Sequence, residues 1–365
     1  MTPRPLPLEF DSLIGFADDD ALAAFAAFRD WARAAAADAP PLRAAKAPSP
    51  RLMQVARAAC GATIADDGAA RRFFVDEFRP WRVLSDAADG AAFFTGYYEP
   101  VIDASLTPTP EFRAPVLARP RDLVSFAPSE GSPDLDPELA GAAKREDGSL
   151  APYPDRAAIE AKGGEAVAWL ADEVEVFFAQ VQGSARLRLA DGRRARLVYD
   201  GRNGQPYTSI GRLLIEAGEI PEREMSLERL KAWLRANGLK PGDKGRAIMR
   251  RNASYVFFRL VEDVDSSLGP IGGAGIALTP LRSIAVDRAL WSYGLPFWID
   301  AALPWRSDES SPFRRLMVAH DTGSAIVGPA RADIFFGAGE AAGARAGAIR
   351  HRGQFAVLAP LGDEP

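Results

Sequence analysis

Leu316-Met317-Val318-Ala319-His320-Asp321-Thr322-Gly323-Ser324-Ala325-Ile326 is followed, after Gly328, by Ala332-Asp333-Ile334-Phe335-Phe336-Gly337. The first apolar run ends on an acid and a Thr-Gly-Ser turn, and the second opens on an acid. Short β-branched and aromatic runs bounded by Gly and Pro read as strands. The same texture extends to both sides, at Ser254 to Val261, Ile276 to Leu278, Ser283 to Val286, Pro296 to Ala301, Arg315 to Ala319, Asp333 to Phe336 and Gln354 to Leu358. Short strands with glycine-rich connections are the pattern of a β-barrel or sandwich.

Upstream the periodicity changes. Ala21 to Ala37 is alanine-rich, with Phe25, Phe28 and Trp31 three residues apart behind the acids Asp18 to Asp20, which predicts a capped helix with its aromatics in the core. Ser49 to Cys60 and Asp66 to Phe78 predict two more helices, and Phe93 to Glu99 a strand that runs into a turn at Pro100. Residues 102–155, rich in Pro, Asp, Ser and Gly, predict loops or a domain boundary. Glu173 to Leu189 and Arg194 to Asp200 read as a hairpin joined at Asp191-Gly192. Ile210 to Ala217 and Ser226 to Asn237 read as helices, the second started by Ser226 and stopped by Gly238.

A chain of 365 residues with 47% apolar and 25% charged residues is neither disordered nor fibrous, and its net charge of −5 argues against a nucleic-acid partner. Cys60 is the single cysteine, and His320 and His351 are the only histidines. One cysteine leaves no material for an intrachain disulfide or a Cys-built metal site, and two histidines make a His-rich metal site unexpected. No apolar run approaches the roughly 18 residues that a membrane helix needs. The N-terminus, MTPRPLPLEFDSLIGFADDD, carries prolines and five acids where an export signal has basic residues and then an apolar core. No export signal is therefore visible, which leaves a cytoplasmic protein and a mature or mis-started exported one both open.

Two acids at strand ends beside glycines suit acid/base chemistry, since apolar surroundings raise a carboxyl pKa toward the range useful for proton donation. The alternative is that Asp-Thr-Gly only holds a turn through side-chain bonds to backbone amides. Asp-Thr-Gly-Ser also suggests an aspartic-type peptidase, whose two aspartates share a proton. A bilobal peptidase needs two copies of that motif and the chain has one.

Further segments complete a pattern. Asp287 ends Ser283-Ile284-Ala285-Val286-Asp287, and with Asp321 and Asp333 it makes three spaced aspartates. To these are added Phe94-Thr95-Gly96-Tyr97-Tyr98-Glu99-Pro100, Gln180-Val181-Gln182-Gly183-Ser184, Tyr207 to Gly211 and Asn252 to Phe257. In this order they resemble the membrane-bound lytic murein transglycosylase A family with its C-terminal three-aspartate domain, from about residue 85 to the C-terminus.

That resemblance implies a mainly β fold: a double-psi β-barrel built from segments on either side of an inserted, second β-rich domain, behind N-terminal helices. The expected divisions are 1–100 for the helices and first barrel part, 101–245 for the insert and 246–365 for the rest of the barrel. It implies a groove for peptidoglycan glycan strands and cleavage of the β-1,4 bond between N-acetylmuramic acid and N-acetylglucosamine, leaving a 1,6-anhydromuramoyl end, in cell-wall turnover. By position in the motif the catalytic acid is Asp333, with Asp321 as supporting carboxylate and Asp287 and Gly323 in structural or supporting roles. Thr95, Gly96, Tyr97, Gln182, Gly183 and Ser184 are the expected substrate-binding residues. Tyr98 is expected to pack, because neighbours on a strand face opposite ways. Glu99 is expected in a turn, Trp298 in the core, and Trp291 and Trp305 in the core or in a sugar platform. The sequence departs from the family at Ser324, where a second glycine is usual, and at Val327, where a lysine is common. The substrate implies periplasmic action; relatives are commonly outer-membrane lipoproteins acylated on a cysteine near the N-terminus, and Cys60 lies too deep in a predicted helix for that. The resemblance implies no metal and no organic cofactor, and a monomer is expected. A glycan-binding protein without catalysis is the remaining alternative.

Overall fold

The computed structural model describes residues 5–87, 89–126, 135, 139, 141–262, 265 and 267–365. Its contacts divide the chain into one unit of Met1–Tyr98 with Ser267–Pro365 and a second of Glu99–Ser266.

In the first unit, six strands among the described residues close into a ring. Arg350–Pro360 pairs with Pro296–Leu303, then follow Ser311–Asp321, Ser283–Val286, Arg331–Ala338 and Ala92–Glu99, which pairs back with Arg350–Pro360. Ser283–Val286 runs parallel to Ser311–Asp321 and antiparallel to Arg331–Ala338. This closed barrel abolishes the free sheet edge inside the ring. Alternate side chains fill its interior, among them Phe94, Ile284, Val286, Phe297, Ile299, Met317, Ile334 and Phe355. Phe297 and Phe355 stack with ring centroids 4.7 Å apart.

The opposite faces of several of these strands are apolar as well, which is why Pro296 to Ile299 reads as an unbroken apolar run. Trp298, Leu316, Val318, Ala356 and Leu358 point away from the interior and pack against the N-terminal helices. Those helices form where expected. Asp20 caps Ala21–Ala36 by accepting from the Ala23 N–H, Ser49 caps Pro50–Gly61, and Asp66 caps Asp67–Glu77. Phe25, Phe28 and Trp31 are buried. Gly294 sits at φ +84°, and a Cβ there would lie 2.2 Å from the Trp31 ring, so only glycine lets the helix approach.

The second unit holds a sheet of six described strands in the order Val256–Glu262, Arg194–Arg202, Ser184–Leu189, Val101–Ser105, Ala166–Leu170, Ala114–Leu117. Leu123–Ser125, Gly141–Lys144 and Leu150–Pro152 form a smaller sheet. Between 101 and 155 five short described strands interrupt the expected loops, unannounced by the sequence because strands of three to five residues are too short to show an alternation; the part of that expectation on 127–134, 136–138 and 140 lies outside the described residues.

Other expectations are corrected. The hairpin consists of Ser184–Leu189 and Arg194–Arg202, but Glu173–Gln182 is a helix. Its Glu-Val-Glu-Val start mimics a strand, yet Asp172 caps it through the Glu175 N–H and Val174, Phe177 and Phe178 are buried at helical spacing. Of Ile276 to Leu278, only Ala277 pairs, in an isolated bridge with Ile271. Glu99 is not a solvated turn residue: it is wholly buried, 2.6 Å from Arg186 and 2.7 Å from Arg196. Gln180, at the start of the segment Gln180 to Ser184, accepts a 2.7 Å hydrogen bond from the buried Arg156, and Asn252 offers its carbonyl to the same guanidinium.

Glu99 with its two arginines generates a prediction. Removing one partner from a buried ion pair leaves uncompensated charge, so Glu99→Ala is expected to cost about 3–5 kcal/mol. Denaturant unfolding of the variant checks this, and a loss below about 1 kcal/mol, the value of a solvent-screened pair, would contradict it.

Candidate active site

Register brings the carboxyl groups to the barrel wall. Ser283–Val286 lies between the strands that carry them, and Ala285 pairs with Asp321 on one side and with Asp333 on the other. Cross-strand partners project to one face, and Ile284 and Val286 on either side of Ala285 fill the barrel interior. Asp321 and Asp333 therefore sit on the outer face, their Cα atoms roughly 10 Å apart, across a residue that offers a single methyl group. Ile284 pairs with Ala319 and Ala285 with Asp321, so His320 is the extra residue of a β-bulge. His320 is fully buried, with Nδ1 2.8 Å from the Ser283 hydroxyl, and burial pushes its pKa down to about 3. It stays neutral and is no acid/base group at working pH.

Ala92–Glu99 supplies the hydroxyls. Phe94 and Tyr98 belong to the interior side, leaving Thr95 and Tyr97 on the outer face. Thr95 Oγ1 donates to Asp333 Oδ1 at 2.6 Å, and Arg331 Nη2 donates to Thr95 Oγ1 at 2.7 Å. Tyr97 Oη donates to Asp321 Oδ2 at 3.0 Å, while the Gly273 and Thr322 N–H groups each donate to Asp321 Oδ1 at 2.8 Å. Burial, then the charges of Asp321 and Asp333, hold the Tyr97 hydroxyl well above its usual pKa, so it remains a donor. Burial also raises the pKa of Asp333 above the ordinary carboxyl value. The Arg331 charge and the Thr95 hydrogen bond pull it back, and the Asp321 charge adds to the rise. One acid thus has both oxygens taken up by three donors, and the other retains its proton to higher pH than an exposed aspartate.

The remaining expected residues divide between the two units. A Cβ on Gly96 would lie 2.8 Å from the Ala346 backbone, so glycine lets the helix Glu340–Gly347 pack against the strand. Gly323 accepts the Ile326 N–H in the turn after Asp321. Asp287 accepts from Ala289 and Gly328 N–H groups at 2.9 and 2.7 Å and so ties down the loop between the acids. Gln182, Gly183 and Ser184 lie at a helix–strand junction of the second unit, where Gly183 ends the helix at φ +79° and the buried Ser184 pairs with Val198. Trp291, Trp298 and Trp305 are all buried in the core.

Sequence reasoning missed Arg331, Arg43 and Gly273. It noted only that a family lysine is replaced by Val327, which is 72% exposed. Arg331 stands two residues before Asp333 on the same strand, so period-2 reading would have put both on one face. Arg43 had no such signal: its N–H donates to the Gly273 carbonyl and its Nη1 to the Thr322 carbonyl at 2.6 Å, across 279 residues of sequence. It thereby holds the two residues whose amides feed Asp321. Among the described residues no cluster of His, Cys, Asp and Glu could hold a metal ion.

Comparison with known proteins adds a lineage. Residues 93–259 match the model of the MltA-specific insert domain, and residues 282–359 match that of the 3D domain. Membrane-bound lytic murein transglycosylase A of Escherichia coli K12 is 31% identical over 298 residues, which cover 79% of this chain and 70% of the relative. The crystal structure of a membrane-bound lytic murein transglycosylase from Agrobacterium tumefaciens superposes with a TM-score of 0.85 at 34% identity, over 98% of both chains. MltA from Neisseria gonorrhoeae, in its monoclinic form, gives 0.76 at 28% identity, over 99% of this chain and 94% of that one.

The raised pKa of Asp333 has a thermodynamic consequence. A carboxyl whose folded-state pKa exceeds its unfolded value stabilises the fold fully below the unfolded pKa, and loses that contribution as pH rises through the folded one. Asp333→Asn is therefore expected to raise the melting temperature by a few degrees at most near neutral pH. The gain should vanish as pH falls below the unfolded carboxyl pKa of about 3.9. Calorimetry of both proteins across that range checks it, and a variant less stable than the parent at neutral pH would contradict it.

Proposed function

The chain belongs to the membrane-bound lytic murein transglycosylase A family, and from that premise we propose that Asp333 is the one carboxyl that serves its reaction as both acid and base. The protein is a peptidoglycan lytic transglycosylase. It cleaves the β-1,4 bond between N-acetylmuramic acid and N-acetylglucosamine and leaves a 1,6-anhydromuramoyl end.

A hydrolytic glycosidase needs a second carboxylate, to attack the anomeric carbon or to activate water. Here the nucleophile is the muramoyl 6-hydroxyl, already tethered to the reacting sugar at high effective concentration. Asp333 protonates the glycosidic oxygen as the bond to the leaving N-acetylglucosamine breaks. As carboxylate it then takes the proton of the 6-hydroxyl as that oxygen bonds to the anomeric carbon, which restores the acid. The observation that carries this reading is the contrast between the two acids: both Asp321 oxygens are taken up by Tyr97, Gly273 and Thr322, whereas Asp333 Oδ2 has no such donor among the described residues. Asp321 then supports, fixing Tyr97 and the turn and holding the Asp333 proton through its charge.

Because Thr95 and Tyr97 spend their hydroxyls on the acids, we assign them to positioning, with the Tyr97 ring beside the sugar. Gln182, with Gly183 shaping its turn and Ser184 following, is assigned to the glycan. Among the described residues no helix is long and apolar enough to cross a membrane. The substrate puts the reaction in the periplasm, and we assign the protein there as a monomer.

Mass spectrometry of sacculi digested by the parent protein and by Asp333→Asn tests the proposal. The parent should release disaccharide peptides lighter by one water at the muramoyl end, and the variant should lose about 10²-fold or more of that rate. Reducing-end products from the parent, or anhydro products from Asp333→Asn at an undiminished rate, would overturn it.

A further inference from the structure

We propose that Arg331 is a positioning residue that acts through the Thr95 hydroxyl to decide which oxygen of Asp333 carries the transferable proton. A guanidinium has five N–H donors and no acceptor. The 2.7 Å contact from Arg331 Nη2 to Thr95 Oγ1 therefore uses a lone pair of the hydroxyl. The hydroxyl has one hydrogen, and the 2.6 Å contact directs it to Asp333 Oδ1. With Oδ1 committed as an acceptor, the proton of the neutral carboxyl resides on Oδ2. Without Arg331 the hydroxyl could turn and accept from the carboxyl, and the proton would be shared between the two oxygens.

Arg331 is itself held in place. Its Nη1 donates to the Ala332 carbonyl at 2.6 Å, and its guanidinium lies 5.3 Å from the centroid of the Phe93 ring. The charged and titratable groups that bear on Asp333 are Arg331 on its own strand, Tyr97 from Ala92–Glu99 and Asp321 from the far side of Ser283–Val286, with Arg43 acting on Tyr97. Arg331 is the nearer cation, and among the described residues it reaches Asp333 through Thr95. The arrangement orients the donor before the sugar arrives. The inference rests on Asp333 being the acid.

The test is the pH dependence of anhydro-product release by the full chain and by Arg331→Leu, Thr95→Val, the double variant, Arg331→Lys and Thr95→Ser. Activity falls on the alkaline side as Asp333 loses its proton. Arg331→Leu and Thr95→Val should each move that limb up by about one pH unit, since a cation and a donor that favour the carboxylate are removed. Each should lower kcat by about tenfold from misplacement of the proton, with KM little changed. The double variant should show less than the sum of the two losses because both act through one hydroxyl. Arg331→Lys and Thr95→Ser should restore most of kcat. A raised KM with kcat and the limb unmoved would make these residues sugar contacts and overturn the inference. So would additive losses without any shift of the limb. Thr95→Ser against Thr95→Val keeps the test decisive if Arg331→Leu fails to fold. Asp333→Asn run alongside separates the two levels: undiminished anhydro release there defeats the acid assignment itself, whereas an inactive Asp333→Asn with an unmoved limb in Arg331→Leu defeats only this inference.

Discussion

The pairing of Ala285 with Asp321 on one side and Asp333 on the other is the constraint on which the site depends. It is a property of backbone register, so neither acid can be moved without slipping a strand, and a one-residue slip would turn a carboxyl into an apolar barrel. The bulge at His320 is part of the same constraint. It converts an ordinary alternation, in which the histidine would face outward, into one that buries the imidazole and presents Asp321.

A buried ion pair holds this register from outside the barrel. Asp19, just before the first helix, binds Arg282 through two contacts of 2.7 and 2.9 Å and accepts the Leu316 N–H. Arg282 immediately precedes Ser283–Val286, and Leu316 lies in the strand that ends at Asp321. One carboxylate therefore ties together the central strand and one of the acid-bearing strands. Buried pairs are costly to desolvate and gain little as stabilisers, but they fix geometry, and here the geometry is that of the site. The N-terminal segment thereby has two structural tasks: Asp19 sets the register, and Arg43 holds the Gly273 and Thr322 backbone around Asp321.

Much of this was legible in the sequence where a residue's neighbours along the chain decide its environment. The three N-terminal helices follow from their caps and their three- and four-residue spacing, and the barrel strands from short apolar runs between glycines. The alternation at Thr95, Tyr97 and Tyr98 correctly separates outer face from interior. What failed depends on distant partners. Glu99 reads as a turn residue until two arginines almost a hundred positions away bury it. Glu173–Gln182 alternates like a strand at its start, and only packing of Phe177 and Phe178 against the helices that follow reveals the helix. Arg43 reaches Thr322 across most of the chain, which no local pattern encodes. Arg331 is within reach of local reasoning, since it stands two residues before Asp333 on the same strand.

In the proposed mechanism one carboxyl suffices because the substrate supplies its own nucleophile. Digestion of sacculi in ¹⁸O-labelled water, followed by mass analysis of the released muramoyl ends, tests it most directly. No solvent oxygen should enter the anomeric position. Products carrying ¹⁸O there would contradict it, since they would require a second group at this site that activates water.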